Sequence, residues 1–560
     1  MAGGAYRKLL VFPLLISLAT IAGAQSFRVQ CPTSTITHPN AANNNSEPGY
    51  AGVTTYGSCT PGQLIPNSTV TCPASGVYPS GNVNGAIKCQ QISGGDGFAT
   101  MGDGTQTYMF SFGPLSGLTG IANGGPGTQF PSVFNTVYPG NLQPGDPATT
   151  NGASDGPYSP GNLTLSSQLA SFTYDGAVGL SPDSFSENID QPGYTGSQAQ
   201  LLNGHVDPRP IIDVGVMNGN IPAPMMAIDE DDEFFLTLSN VGMIMRPDLF
   251  EQHTVHFHGY PNASSFYDGV PDASVAINIG GSFTYYYLAP DAGTYFWHCH
   301  ITPPEHLQMG MVGQLYVRPR QNRVLAGSSL YASLQRQQLD PRTACNSAAD
   351  ILCTNPLPPS NSLNRAATGN YAYNDGDGST YYDVEYPIQI HGFDPNFHFV
   401  GMTFNPEGFT DMKDKYFLLN GRSYPDTVTP GPMATQSTDG AMHYSQPLPA
   451  IINIPAGKIA LLRISDLDVT EYQTLASLGI PMKVIGYNAK LLRDQAGNNL
   501  YYTTNSITLA GGESLDVILD ASDTTKYPSG SVFYLYTPNL DHLSNDAENF
   551  GGLMTEVRIN

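Results

Sequence analysis

Ser282-Phe283-Thr284-Tyr285-Tyr286-Tyr287 is an aromatic and β-branched run bounded by turn residues. Phe234-Phe235-Leu236-Thr237-Leu238 precedes it and Gly313-Gln314-Leu315-Tyr316-Val317 follows it, with the same character. Such side chains fit a pleated, half-buried surface, so each run predicts a strand. Outward from this block, Thr107–Phe112 alternates enough for another strand. A second series begins near residue 380, with Pro387–Ile390, Tyr416–Leu419, Ile459–Ile464 and Ser531–Tyr536. Short strands at this spacing indicate sandwiches or barrels, and two β-sandwich domains are expected. Composition agrees. Charged residues are 12% of the chain, about half the usual share, while 60 Gly and 45 Pro suit turn-rich β-structure better than helical bundles.

The 560 residues are enough for two to four domains at roughly 150 residues each. The expected layout is a signal peptide over 1–24, a disulfide-stapled segment over 25–96, and a first sandwich over 97–320. Within that sandwich, residues 113–208 are rich in Gly, Pro, Ser and Asn and read as a long insertion with some short elements of its own. Residues 321–379 connect to a second sandwich over 380–560, with a short helix expected around Val324, Leu325, Leu330 and Leu334. Arg7 and Lys8, an apolar run from Leu9 to Ile21, and Ala22-Gly23-Ala24 have the layout of a secretory signal. No later stretch reaches the ~18 apolar residues of a membrane span, so an exported protein, extracellular or periplasmic, without a membrane span is expected. The formal charge of −24 repels phosphate backbones and argues against nucleic acid as a partner.

Seven cysteines leave one odd thiol. Cys299, between two histidines, is the candidate. Cys31, Cys59, Cys72, Cys89 and the pair Cys345/Cys353 predict three disulfides, with the pairing among the first four open. A zinc site from those four is the weaker reading, because they contain no C-x-x-C.

Six of the 12 histidines fall between 253 and 306. His253-Thr254-Val255-His256-Phe257-His258-Gly259 forms one cluster, and His298-Cys299-His300 with His306, Met309 and Met311 forms the other. On strands, side chains alternate faces with period two. His256 and His258 then share a face opposite to His253, and His298 and His300 share a face opposite to Cys299. One site would collect His253, Cys299, His306 and Met311, the donor set of blue copper. The other would collect His256, His258, His298 and His300, imidazoles alone, suited to copper that meets oxygen. The backbone of Cys299 joins the two.

These two motifs resemble those of the multicopper oxidase (laccase-like) family, in a form with two cupredoxin domains. Asp268-Gly269-Val270-Pro271 and Gly293-Thr294-Tyr295-Phe296-Trp297 resemble neighbouring family segments, and Phe417–Arg422 and Ile454–Gly457 support a second cupredoxin domain. The resemblance implies an all-β fold of two Greek-key sandwiches and an enzyme, a copper-dependent oxidoreductase with O2 as acceptor. It implies that His253, Cys299 and His306 hold a type 1 copper with Met311 axial and Met309 as rival. It also implies type 2 and type 3 copper, with His256 at the former and His258, His298 and His300 at the latter. Electrons would pass from a small reducing substrate, a phenol or metal ion, through Cys299, His298 and His300 to O2. The step from Cys299 to His306 is seven residues rather than the family's usual five.

A full cluster in that family uses eight histidines, and four stand in the motifs here. The second domain reads Tyr534-Leu535-Tyr536 where a His-Cys-His equivalent would fall, and its His391, His398, His443 and His542 are scattered. A homo-oligomer in which two chains each donate four histidines is the expected remedy. Two alternatives are a blue-copper electron carrier or copper-binding protein without an assembled cluster, and a nitrite-reductase-like copper enzyme. The resemblance gives that last family an aspartate where this chain has His256.

Other features have blander readings. Asp229-Glu230-Asp231-Asp232-Glu233 would hold a metal-ion substrate or form a solvated turn, and the turn is the expectation. Met243-Ile244-Met245 reads as core before cuprous-ion path, Glu305 as an exposed loop carboxylate, and Trp297 as packing. Asn44, Asn67, Asn162 and Asn262 begin glycosylation triplets.

Overall fold

A computed structural model describes residues 31–135, 219–340, 356–400 and 408–560, apart from residues 51, 82, 244, 247, 248, 250, 261–263, 290, 361 and 437–441. The expected signal peptide, most of the expected insertion, the Cys345/Cys353 pair, Asn162 and Asn262 lie outside these residues.

Eight strands make the first sandwich: β1 (Ile87–Thr100), β2 (Gln106–Pro114), β3 (Met226–Asp229), β4 (Glu233–Gly242), β5 (His256–Phe257), β6 (Ser282–Leu288), β7 (Gly293–His298) and β8 (Val312–Arg318). One sheet runs β2-β1-β4-β6 and the other β3-β8-β7-β5. β1 runs parallel to β4 and β3 parallel to β8, so the chain crosses between sheets instead of folding as a simple meander. Phe110, Phe112, Phe234, Leu236, Tyr285, Tyr287 and Trp297 fill the space between the sheets. β1 begins inside the segment assigned to the N-terminal staple, so the sandwich takes in residues from Ile87 onward. Its Gln, Ser and Gly content hides it from a propensity reading; burial on both faces makes it a strand.

The second sandwich has twelve strands: β9 (Val384–Phe393), β10 (Tyr416–Leu419), β11 (Ile452–Ile454), β12 (Ile459–Asp466), β13 (Gln473–Leu478), β14 (Met482–Tyr487), β15 (Lys490–Leu491), β16 (Tyr502–Thr504), β17 (Ser506–Leu509), β18 (Ser514–Asp520), β19 (Val532–Tyr536) and β20 (Met554–Ile559). One sheet runs β10-β9-β12-β18-β14-β15, with β16 on β14, and the other β11-β20-β19-β13-β17. Its core is aliphatic, with Ile388, Ile390, Leu462, Ile464, Val517, Leu535 and Val557 at the centre. The chain is all-β, two sandwiches with few and short helices. In the connection the helix is Leu330–Gln337, started by the Ser329 side chain, which accepts from Ala332 N; Val324 and Leu325 lie before it.

Polar contacts join the sandwiches. Glu385 on β9 accepts from Arg318 on β8 and Arg463 on β12, at 2.6 and 3.0 Å. Thr294 donates to Asp516 at 2.6 Å, and Ser514 donates to the Thr294 carbonyl at 2.6 Å.

Two disulfides form in the N-terminal segment, Cys31–Cys89 and Cys59–Cys72, which removes the zinc reading of those four. Cys299 is free and buried. Asn44 is 2% exposed, and its amide donates to the Thr33 and His38 carbonyls, so this triplet is closed inside. Met243 is buried in the core and Met245 packs against it.

The acidic run is no solvated turn. Asp229, Glu230, Asp231, Asp232 and Glu233 are all buried. Arg320 grips Asp231 with two bonds of 2.7 Å, and Arg323 adds a third at 3.0 Å. Glu230 accepts from Arg320 N and Asn374, and Asp232 from the backbone of Ala86 and Asp229. Glu233 lies 2.7 Å from His38 Nδ1 and accepts from Tyr286 at 2.6 Å. Buried carboxylates persist only when so partnered.

Candidate metal centre

The two histidine clusters meet across β5 and β7. His256 stands opposite His298, and Phe257 opposite Trp297. Directly opposed residues share a face. The histidine pair therefore points away from the core while Phe257 and Trp297 fill it. His258 continues the pattern, its N–H donating to the Phe296 carbonyl at 2.8 Å. Past the end of β7, His300 N donates to Thr254 Oγ1 at 2.9 Å, which ties the second motif to the first.

Cys299 turns the other way. Its Sγ lies 3.3 Å from His306 Nδ1 and 3.9 Å from His253 Nδ1, and Thr254 N approaches it at 3.4 Å. All three side chains are completely buried. Their ligand atoms lie within 4.8 Å of one another. His253 is fixed by a two-way backbone bridge with Ile277. A Cβ on Gly94 of β1 would collide with the His253 ring, so the bare backbone there makes room for this ligand. Cys299 N donates to the Met311 carbonyl at 3.1 Å, which sets Met311 opposite Cys299 on the same face. Met309 follows the helix and is equally buried. His306 sits in α1 (Pro303–Gln308), a single turn started by two prolines. The long Cys299–His306 step is thus taken up by a helical turn.

Burial works against the Cys299 thiolate, but the positive His306 and hydrogen bonds from both histidines outweigh it and hold the thiol well below its usual range. A thiolate beside two imidazoles is the soft N/S set that copper takes, and buried donors gathered before any metal arrives fit it.

The second set is more open. Ligand atoms of His256, His258 and His298 also lie within 4.8 Å of one another. His300 joins through ring contacts of 5.0 Å to His256 and 5.4 Å to His298. His256 Nδ1 donates to the Asp268 carbonyl and His298 Nδ1 to the Cys299 carbonyl, both at 2.7 Å, leaving each Nε2 for a ligand role. Burial, then the neighbouring His256, lower the His258 pKa to about 4, and burial with the neighbouring His258 holds that of His298 well below its usual value. Both are neutral donors near pH 7. Gly512 of the second sandwich backs His258, since a Cβ there would come within 2.7 Å of the ring. A cavity of about 410 Å³ opens beside His258 and is lined across the way by Asp468–Tyr472 and Ala510–Gly512.

None of the second sandwich's described histidine side chains reaches this set. His391 and His398 face carbonyls of the first sandwich, and His542 lies between Gln473 and Glu471. The acidic run is committed to its own partners. Glu305 is half-buried in α1 rather than exposed on a loop. Sequence reading missed Glu251, whose carboxylate lies 3.4 Å from His306 Nε2; no local motif marks it.

Residues 203–322 match the family model of the multicopper oxidases. A multicopper oxidase of Talaromyces pinophilus is 34% identical over 112 residues, 20% of this chain and 17% of its own length. A laccase of Aspergillus fumigatus is 33% identical over 109 residues, 19% of this chain and 17% of its own. A copper-containing nitrite reductase of Neorhizobium galegae is 34% identical over 106 residues, 18% of this chain and 25% of its own. Among solved structures, a blue copper oxidase from Nitrosomonas europaea aligns with a TM-score of 0.39 and 20% identity, over 61% of this chain and 78% of that one. The chain spans only 17% of the length of each of the first two relatives. The matched stretch holds every residue of both candidate ligand sets, so the similarity to the multicopper oxidases is carried by the region where the histidines and Cys299 gather.

Proposed function

We propose that the chain is a secreted copper oxidase that takes single electrons from a small reducing substrate and delivers them to O2, forming water. The observation that carries this reading is the position of Cys299, with its side chain among His253 and His306 and its two neighbours in the imidazole set. Copper held by the first set would supply one-electron redox chemistry, and copper held by the second would supply O2 binding and reduction. The chain's own part is to position the donors. Cys299, His253 and His306, with Met311 beside them, form a dry pocket. His306 turns its Nε2 edge toward Glu251, which gives a substrate cation or phenol a polar approach. From Cys299 an electron has a covalent path to His298 and His300 through one residue of backbone each way.

Four histidines are half of the family's full cluster set. The described second-sandwich histidine side chains are engaged elsewhere, which supports completion of the cluster by a second chain. The same observation favours a second reading, an electron carrier whose cluster never assembles. The two disulfides and the signal-like N-terminus support export.

Copper per chain, measured with O2 consumption on copper-loaded protein, decides between them. Completion between two chains gives one copper per chain at the sulfur site plus half of a three-copper cluster, with O2 uptake. One copper per chain and no O2 uptake would establish the carrier. A full cluster in an isolated monomer would overturn sharing.

A further inference from the structure

We infer that His391 and His398 of the second sandwich are positioning residues for the sulfur-bearing site, holding the helix that carries His306. The inference rests on the ligand reading above and gives the second sandwich a role in that site.

The three ligands are not held alike. His253 and Cys299 are fixed by backbone pairing, to Ile277 and Met311. His306 rides on α1, where its carbonyl accepts from Met311 N at 2.8 Å and that of Leu307 from Gly310 N at 3.0 Å, so the second sandwich adds to the bonds that end this helix. The two residues after His306 are where the second sandwich attaches. His391 Nε2 donates to the Leu307 carbonyl at 2.8 Å. His398 Nε2 lies 2.9 Å from the Gln308 carbonyl, and its Nδ1 faces the Tyr108 carbonyl on β2, so this ring bridges helix and strand. The Gln308 side chain accepts from Asp394 N at 2.8 Å and donates to Asp414 at 2.9 Å. His391, His398 and Gln308 are at most 1% exposed. Every one of these second-sandwich groups comes from residues 391–414, at the end of β9 and before β10.

The consequence for the site is mechanical. The 3.3 Å approach of His306 Nδ1 to Cys299 depends on where the α1 turn sits. Removing the His391 donor takes away one of the two donors to the buried Leu307 carbonyl, the other being Gly310 N, and loosens the turn that carries the ligand. Packing alone would be satisfied by an apolar side chain of similar volume, whereas positioning requires a donor at this spot.

The test compares His391→Leu, His391→Gln and His398→Leu with the natural protein in two states. In the metal-free state, alkylation of Cys299 is followed by mass spectrometry of its peptide. In the copper-loaded state, the thiolate-to-copper absorption, the electron paramagnetic resonance spectrum and the reduction potential are recorded. His391→Leu is expected to label about tenfold faster, as for the loss of one buried hydrogen bond, and to shift the copper spectrum and potential. His391→Gln, which keeps an N–H donor, is expected to return both readouts toward those of the natural protein. Unchanged labelling and spectra in both Leu variants would overturn the inference. So would a Gln variant as disturbed as the Leu variant. If His391→Leu does not fold, His391→Met, which fills the space without a donor, takes its place, and an unshifted spectrum there overturns the inference equally. Copper uptake by the natural protein without a thiolate band would overturn the ligand reading itself, before any variant is compared.

Discussion

Met309 and Met311 are both buried beside the sulfur site, yet only one lies opposite Cys299. Since opposed residues on antiparallel strands share a face, Met311 is the axial candidate and Met309 the packing residue. Met311→Leu should therefore shift the thiolate-to-copper absorption and the reduction potential, while Met309→Leu should leave both in place. Leu for Met conserves volume and costs less than about 1.5 kcal/mol, so both variants should fold and the spectra compare like with like. The sorting of the histidines onto two faces could be read in the sequence from period-two alternation. Gly94 and Glu251 could not. Their roles come from packing against His253 and proximity to His306 across long stretches of chain, and neither belongs to a motif.

Among the elements, strands announced by aromatic and β-branched runs were legible, and β1 was not, since its Gln, Ser and Gly residues gain their place only from neighbours on both sides. The acidic turn after β3 was misread for a related reason. A charge run looks solvated until its partners are known, and His38, Lys88, Arg320 and Asn374 lie far away in sequence. Ionic contacts also set how the sandwiches hold together. Burial raises the Glu385 pKa, but Arg318 and Arg463 outweigh it and bring it down to about 2. A depressed carboxylate stabilises the folded state above its unfolded pKa of about 4.3, and this is lost as pH falls through the folded value. Glu385→Gln should lower stability by about 3 kcal/mol at neutral pH. The gap to the natural protein should close between about pH 4 and pH 2. Denaturant midpoints measured across that range check it, and a gap independent of pH would refute the assignment.

For the whole molecule, the proposed sharing of a cluster between chains would make O2 chemistry a property of association, while the sulfur site would belong to each chain alone. Serial dilution of the copper-loaded protein should therefore lower O2 consumption per chain and release cluster copper, with blue absorption per chain unchanged. Constant O2 consumption down to a monomeric species would end the shared-cluster reading. The incomplete histidine count was visible in the sequence. The cavity beside His258, with Gly512 behind the ring, was not, because it is made by two sandwiches meeting.

The buried acidic turn also bears on how small this protein can be made. Its five carboxylates draw their partners from residues 38 and 88, from 320 and 323, and from 374, so the turn behaves as a keystone for three stretches of chain. A fragment trimmed to β3 through β8 would keep the acids and lose their counterparts, and the liberated charges would pry the sandwich open from the end farthest in sequence from its candidate ligands. Any attempt to isolate a minimal copper-holding unit must carry the stapled N-terminus and the connection with it, or else replace the turn.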